Sequence, residues 1–166
     1  MTAVASVIPT AIDRLYTILT SALPTTVVVK GPGMTDEALE SVLWIGWSDP
    51  DADGLDQAAS SDIRWAWLGT GQRAENAVIN CVTDAWNGNA DLDAARTTVF
   101  ETVNQVSTAI QSDPTLGLQA SPVSGINLLV VQGIQLGSYL QDQNENGAYA
   151  RLQFGVEIQY RSHHQW

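Results

Sequence analysis

Four groups of residues in this 166-residue chain have types and spacings that invite chemistry. Asp49-Pro-Asp-Ala-Asp-Gly-Leu-Asp56 opens as a D-x-D-x-D-G run. That is the start of a calcium-binding EF-hand loop, where alternate carboxylates converge on the ion. The match fails at the twelfth position, where a bidentate Glu is needed and Ser60 stands, and strands rather than helices are expected on its flanks. A solvated acidic turn, with Gly54 taking its awkward backbone angle, is the reading adopted. Gly69-Thr-Gly-Gln-Arg-Ala74 spells G-x-G-x-x-A, but a dinucleotide fingerprint must open a helix so that the helix N-terminus meets the pyrophosphate. Here a strand follows, so the segment reads as a hairpin loop. His163 and His164 lie in the tail without a third ligand in spacing, which argues against a metal site. Asp84 is the best single candidate for a perturbed acid; the plainer alternative is a polar residue on the open face of a sheet.

No nucleophile elbow, P-loop, C-x-x-C or H-E-x-x-H occurs in the sequence. The expectation is therefore a protein without catalytic activity, cofactor or metal. Cys81 is the only cysteine, so no intrachain disulfide can form, and it is expected to be a buried, reduced thiol.

The elements that would carry these groups can be read from periodicity. Pro9 opens a first helix, a position where its missing N–H is harmless. Ile8, Ala11, Ile12, Leu15, Ile18 and Leu19 form its apolar face, and Pro24 stops it. Thr25–Lys30 reads as a short strand ended by Gly31-Pro-Gly33. A turn of helix over Thr35–Glu40 leads to a strand over Ser41–Trp47. Trp44 and Trp47, three apart in that strand, should face opposite sides. Ala58–Leu68 reads as a third strand with Ile63, Trp65 and Trp67 on one face, and Ala74–Trp86 as a long fourth, rich in β-branched residues.

From Leu92 the apolar residues fall at Leu92, Ala95, Val99, Val103, Val106 and Ile110, which is one buried helical stripe. The opposite face carries Asp93, Arg96, Glu101, Asn104, Gln105 and Gln111. Ser112-Asp-Pro114 ends the helix. Ile126–Leu140 and Ala148–Arg161 read as a final hairpin across Asp142–Gly147, with Asn146-Gly147 as the turn signal. In its second strand Ala148, Ala150, Leu152, Phe154, Val156, Ile158 and Tyr160 alternate with Tyr149, Arg151, Gln153, Glu157, Gln159 and Arg161. One face is core and the other polar. The order predicts a single α+β domain over 1–166, with a mixed, mostly antiparallel sheet and two helices packed on one face. A loop and hairpin extension at about 49–74 and a short C-terminal arm at 162–166 complete it.

Hydrophobic residues make up 45% of the chain, which excludes wholesale disorder. Apolar runs are too short to span a membrane, and the N-terminus lacks the basic region of a secretory signal. Eighteen acids against seven bases give a net charge of −11. No basic residue lies between Arg96 and Arg151. Such a surface repels phosphate backbones, so nucleic-acid binding is discounted, although an acidic wall suits a passage through which DNA slides without sticking. The six tryptophans have two readings: burial under the helices, or display at interfaces, where aromatics are enriched.

Several segments together resemble the tail terminator proteins of long-tailed phages, in the group carried by phages of actinobacteria. They are the leading helix ending in Ala22-Leu-Pro24, the strand Val27–Lys30 with Gly31-Pro-Gly33 behind it, and Leu43-Trp-Ile-Gly-Trp-Ser-Asp-Pro-Asp-Ala-Asp-Gly54. Glu75–Trp86 running into Asp93-Ala-Ala-Arg96, Ser112-Asp-Pro-Thr-Leu-Gly117 and the alternating C-terminal hairpin complete the pattern, which covers nearly the whole chain. The resemblance implies a mixed sheet with two helices on one side. It also implies a ring, usually of six copies, on the head-proximal end of a finished tail tube. Such a ring stops polymerisation of the major tail tube protein and offers a surface to the head-completion protein of the neck. DNA passes through its lumen without specific binding. The place implied is the virion, after assembly in the host cytoplasm.

Exposure patterns suggest Asp49, Asp51, Asp53, Trp65, Trp67, Glu101, Gln105 and Trp166 as interface residues. The acidic loop and the hairpin of Ile63–Trp86 would project from the ring, and the polar face of the second helix would line the lumen or meet a neighbour. Two alternatives stand beside this reading. One is another neck component, such as a head-closure or tail-completion protein; the other is a small non-viral ligand-binding domain.

Overall fold

The computed structural model describes residues 6–31, 40–48, 57–65, 73–118 and 128–162. The elements follow in the order α1 (Ile8–Ala22), β1 (Val27–Lys30), β2 (Ser41–Ile45), β3 (Ala59–Trp65), β4 (Arg73–Asn87), α2 (Leu92–Ser112), β5 (Leu128–Asn144) and β6 (Gly147–Ser162). They build one six-stranded sheet in the order β1-β2-β4-β6-β5, with β3 also paired to β4. β1 and β2 are parallel; every other pair is antiparallel. β2 pairs with residues 81–85 of β4 and β3 with residues 73–79, so the two short strands lie end to end along one flank of β4. β6 takes the whole of the other flank. The α+β architecture with both helices on one face is thus the observed one.

The helix-covered face is built by strict alternation. Ala77, Ile79, Cys81 and Ala85 of β4 are buried with Ala150, Leu152, Phe154, Val156 and Ile158 of β6. Side chains at every second position point to one side of the sheet, and α1 and α2 close that side. α1 contributes Ala11, Leu15 and Leu19, and α2 contributes Ala95, Val99, Thr102, Val103, Val106 and Ile110. The 3–4 spacing of the second set makes a stripe wide enough to cover β4 and β6. Asp91 starts α2 by accepting a hydrogen bond from the Ala94 N–H at 3.0 Å, which satisfies one of the orphan donors at its first turn.

α1 is started from a distance. It has no side-chain cap of its own and no acidic residue in its first turn. Glu75, completely buried on the helix side of β4, supplies the missing acceptor: its Oε2 takes the Val7 N–H at 3.0 Å, and Ser6 Oγ donates to its Oε1. A carboxylate at a helix N-terminus is favoured by the helix dipole. Arg73 pairs with the same carboxylate at 2.8 Å, so the buried charge is compensated from both sides.

Two sequence expectations are corrected. The last hairpin turns on Glu145 and Asn146 alone, rather than across 142–147. Gly147 already belongs to β6, paired to Asn144, with φ of 148°. A Cβ on Gly147 would lie 2.5 Å from Trp86 Cζ2 and 2.7 Å from the Asn87 carbonyl oxygen, so the turn needs glycine for close approach as well as for its backbone angle. The second correction concerns Trp44 and Trp47, which do not face opposite sides. β2 ends at Ile45, Gly46 takes φ of 70°, and the Trp47 N–H then donates to the Asn80 carbonyl at 2.9 Å. The turn at Gly46 brings Trp47 back to the same face as Trp44. β3 is described only to Trp65; the expected continuation through Trp67 to Leu68 lies outside the described residues, as do residues 35–39 of the expected helical turn, and Glu40 is a bend. Gly147→Val is predicted to cost about 3 kcal/mol in urea unfolding, from backbone strain together with overpacking against Trp86.

Candidate functional site

The face of the sheet away from the helices has its own cluster, and it is centred on Asp84. Register places Asp84 of β4 directly opposite Arg151 of β6 and Val42 of β2. Arg151 grips the carboxylate with two bonds, Nε to Oδ1 at 2.7 Å and a terminal guanidinium nitrogen to Oδ2 at 2.9 Å. Tyr149 Oη donates to Oδ1 at 2.9 Å and the Trp44 indole N–H to Oδ2 at 3.2 Å. The guanidinium lies 5.2 Å from the Trp47 ring centroid and 5.8 Å from that of Tyr149, within reach of cation–π attraction. Val42, Trp44 and Val82 are buried beneath, with Val29 and Trp47 packed against them.

This arrangement decides between the two readings of Asp84. Four donors converge on a group with about four acceptor positions, so no lone pair is left to take a proton from a substrate. A bidentate, half-desolvated pair of this kind is among the stronger protein hydrogen bonds. The Arg151 guanidinium is held more strongly protonated by its bond to Asp84, offset in part by burial. Burial, and then the Asp84 charge, push the Tyr149 phenol well above its ordinary value. Asp84 is a polar anchor on the open face that ties β2, β4 and β6 together. Beside it lies a depression of about 280 Å³, whose lining includes Trp47, Asn80, Gln135, Gln153 and Gly155 and, among the described residues, contains no charged side chain.

Of the predicted interface residues, Trp65, Glu101 and Gln105 are described, and these three do not form one surface. Trp65 ends β3 at 64% exposure, close to Ile63 at 38%. Glu101 is exposed on the outer side of α2, and Gln105 is half-buried rather than free, its Nε2 donating to Glu101 Oε1 at 3.4 Å one turn back. Glu101 and Gln105 are therefore brought together, but on the helix layer, apart from Trp65 on the sheet. Asp49, Asp51, Asp53, Trp67 and Trp166 lie outside the described residues, as do His163, His164 and most of the glycine loop. Among the described residues no three His, Cys, Asp or Glu side chains come together to hold a metal ion, and no helix is long and apolar enough to cross a membrane.

Two features escaped sequence reasoning. Glu75 reads as one more surface carboxylate, yet it is the buried acceptor for α1. The only signal was its phase, since it shares the inward parity of Ala77, Ile79 and Cys81. The other is the outer strand β5, whose Leu136 and Leu140 are 56% and 55% exposed. Cys81 is buried as expected, and burial raises its thiol to about 12.

No protein-family model matches the chain, and a search of characterised proteins finds no match. The site is thus read from its geometry. Asp84→Ala strands the Arg151 charge and is predicted to cost about 2 kcal/mol in urea unfolding, reduced from a fully buried pair because both side chains keep some exposure. Asp84→Asn, which keeps the shape and two acceptor positions, loses less. A pH dependence follows from Cys81. Folding raises the thiol above its unfolded value of 9.0, so the folded state holds its proton longer. Its contribution to stability is complete below pH 9 and is lost as pH rises toward about 12, by about 1.4 kcal/mol per pH unit. Cys81→Ala should flatten that part of the stability–pH curve.

Proposed function

We propose that this chain is a tail terminator of a long-tailed phage. In this reading it is a structural protein that assembles as a ring, of six copies as in the proteins it resembles, on the head-proximal end of the tail tube. The ring stops polymerisation of the major tail tube protein and presents the attachment surface for the head-completion protein of the neck. Genomic DNA passes through its lumen, and its final place is the virion after assembly in the host cytoplasm.

The observation that carries the reading is agreement between the segment pattern and the fold. The segments resemble those of tail terminators, and the mixed sheet with two helices on one face is the architecture that resemblance implies. Charge adds support. At −11, the chain would give a lumen that repels the duplex rather than holding it. The best-formed polar cluster also fits a structural role, because Asp84 is spent on joining strands.

Inactivating the gene in the phage provides the test. Loss of a terminator is expected to give tail tubes longer than wild type, visible by electron microscopy of lysates. Tails of normal length beside heads that leak DNA would overturn this reading and favour a head-closure protein.

A further inference from the structure

We propose that β5 of one copy pairs antiparallel with β3 of the next, so that a single sheet runs from subunit to subunit. This names the subunit contact of the proposed ring and rests on that reading.

The inference starts from the margins of the sheet. Among the described residues β5 pairs only with β6, and β3 only with β4. On β5 the Val131 N–H is taken by the Pro114 carbonyl at 2.8 Å; beyond it, and along β3, no strand among the described residues lies against the outward backbone N–H and C=O groups. Monomeric proteins guard such edges with lysine, proline or charge, because an unguarded edge is a template for pairing. β5 is 17 residues long, and from Leu128 to Gln141 it has no charged residue and no proline. Its register shifts, between Val131 and Gly133 and between Leu136 and Tyr139, do not hide it: Leu136 and Leu140 remain more than half exposed. Bulges of this kind bend and twist a strand, which suits a sheet that must curve around a ring.

The β3 margin complements it. Ser60 to Trp65 are all exposed, and Ile63 and Trp65 present apolar side chains with nothing described over them. Its two charges, Asp62 and Arg64, neutralise each other at 2.8 Å. Two copies that each carry −11 repel most of the way around, and the outer side of α2 adds Asp93 and Glu101 to that repulsion. Joining the uncharged Leu128–Gln141 stretch of β5 to internally neutralised β3 adds no like-charge contact, and it covers four exposed apolar side chains.

Strand direction agrees. β3 opposes β4, β4 opposes β6 and β6 opposes β5. In two copies set side by side, β5 and the neighbour's β3 therefore run in opposite directions. The two margins lie on opposite sides of one sheet, so the contact is head-to-tail. Such a contact closes into a ring when its rotation allows, whereas a two-fold β5–β5 contact stops at a dimer.

Cysteine cross-linking of the full chain tests the contact, because native Cys81 is buried and does not interfere. Ser61→Cys is combined in turn with Val130→Cys, Gln132→Cys, Gln135→Cys or Leu140→Cys, which scans the possible registers. The proteins are oxidised and run on non-reducing gels, with native mass spectrometry in parallel. The expected result is a ladder of dimers, trimers and higher species from at least one double variant, and monomer alone from every single variant. A dimer from a β5 single variant would overturn the proposal in favour of a two-fold contact. Rings by mass spectrometry with no ladder from any pair would overturn this contact while leaving the ring reading intact. A wild-type chain that stays monomeric at all concentrations would overturn both.

Discussion

Everything in this structure depends on the pairing of β4 with β6, unbroken from Arg73↔Ser162 to Asn87↔Ala148. Because side chains alternate with a period of two, one register serves both faces at once. It sets Ile79 beside Val156 and Cys81 beside Phe154 under the helices, and it sets Asp84 against Arg151 on the far side. Slipping the ladder by one residue would turn the apolar row of β6 to water and leave the Asp84 and Arg151 charges without each other. Close packing narrows the choice further. Gly155 sits where a Cβ would come within 2.8 Å of Val78 Cγ1, so the two strands fit only with glycine there.

Both helices are fixed to that frame by different physics. α2 is held by area: its apolar stripe lies over β4, β6 and β5, and the Phe100 ring packs tilted against that of Tyr139 of β5, centroids 5.4 Å apart. α1 is held by area and by a buried charge, since the Glu75 carboxylate receives the chain at Ser6 and Val7. The remaining face is pinned by the Asp84 cluster, where an ion pair, a phenol and two indoles replace a third layer of helices. Polar groups in this protein are thus spent on assembling the sheet.

The readable parts of the sequence were those whose signal is local. The stripe from Leu92 to Ile110 and the alternation from Ala148 to Tyr160 repeat at the period of their own element, so both elements and their buried faces were legible. So was the polar, open-face position of Asp84, though not its partners, which depend on cross-strand register. Glu75 was not legible, because Val7 lies 68 residues away and nothing near Glu75 announces it. The placement of Trp47 was missed because a single residue, Gly46, reverses the side it faces. The exposed character of β5 was hidden too: its apolar run reads as core, and only the register shifts and the reach of the helices show that Leu136 and Leu140 stand outside it.

These observations join in one account. In the proposed account a strongly acidic chain keeps its copies apart except along two margins, one uncharged from Leu128 to Gln141 and one internally neutralised, that belong to the same sheet and run in opposite senses. That combination is what a ring built from identical subunits needs, and a ring at the end of a tube is the function proposed. The most direct measurement is cryo-electron microscopy of tail tubes grown from the tube protein in the presence of this purified chain. The account predicts tubes arrested with one closed ring at a single end, its sheet continuous between neighbours. Tubes that keep growing uncapped, with the chain free in solution, would contradict it.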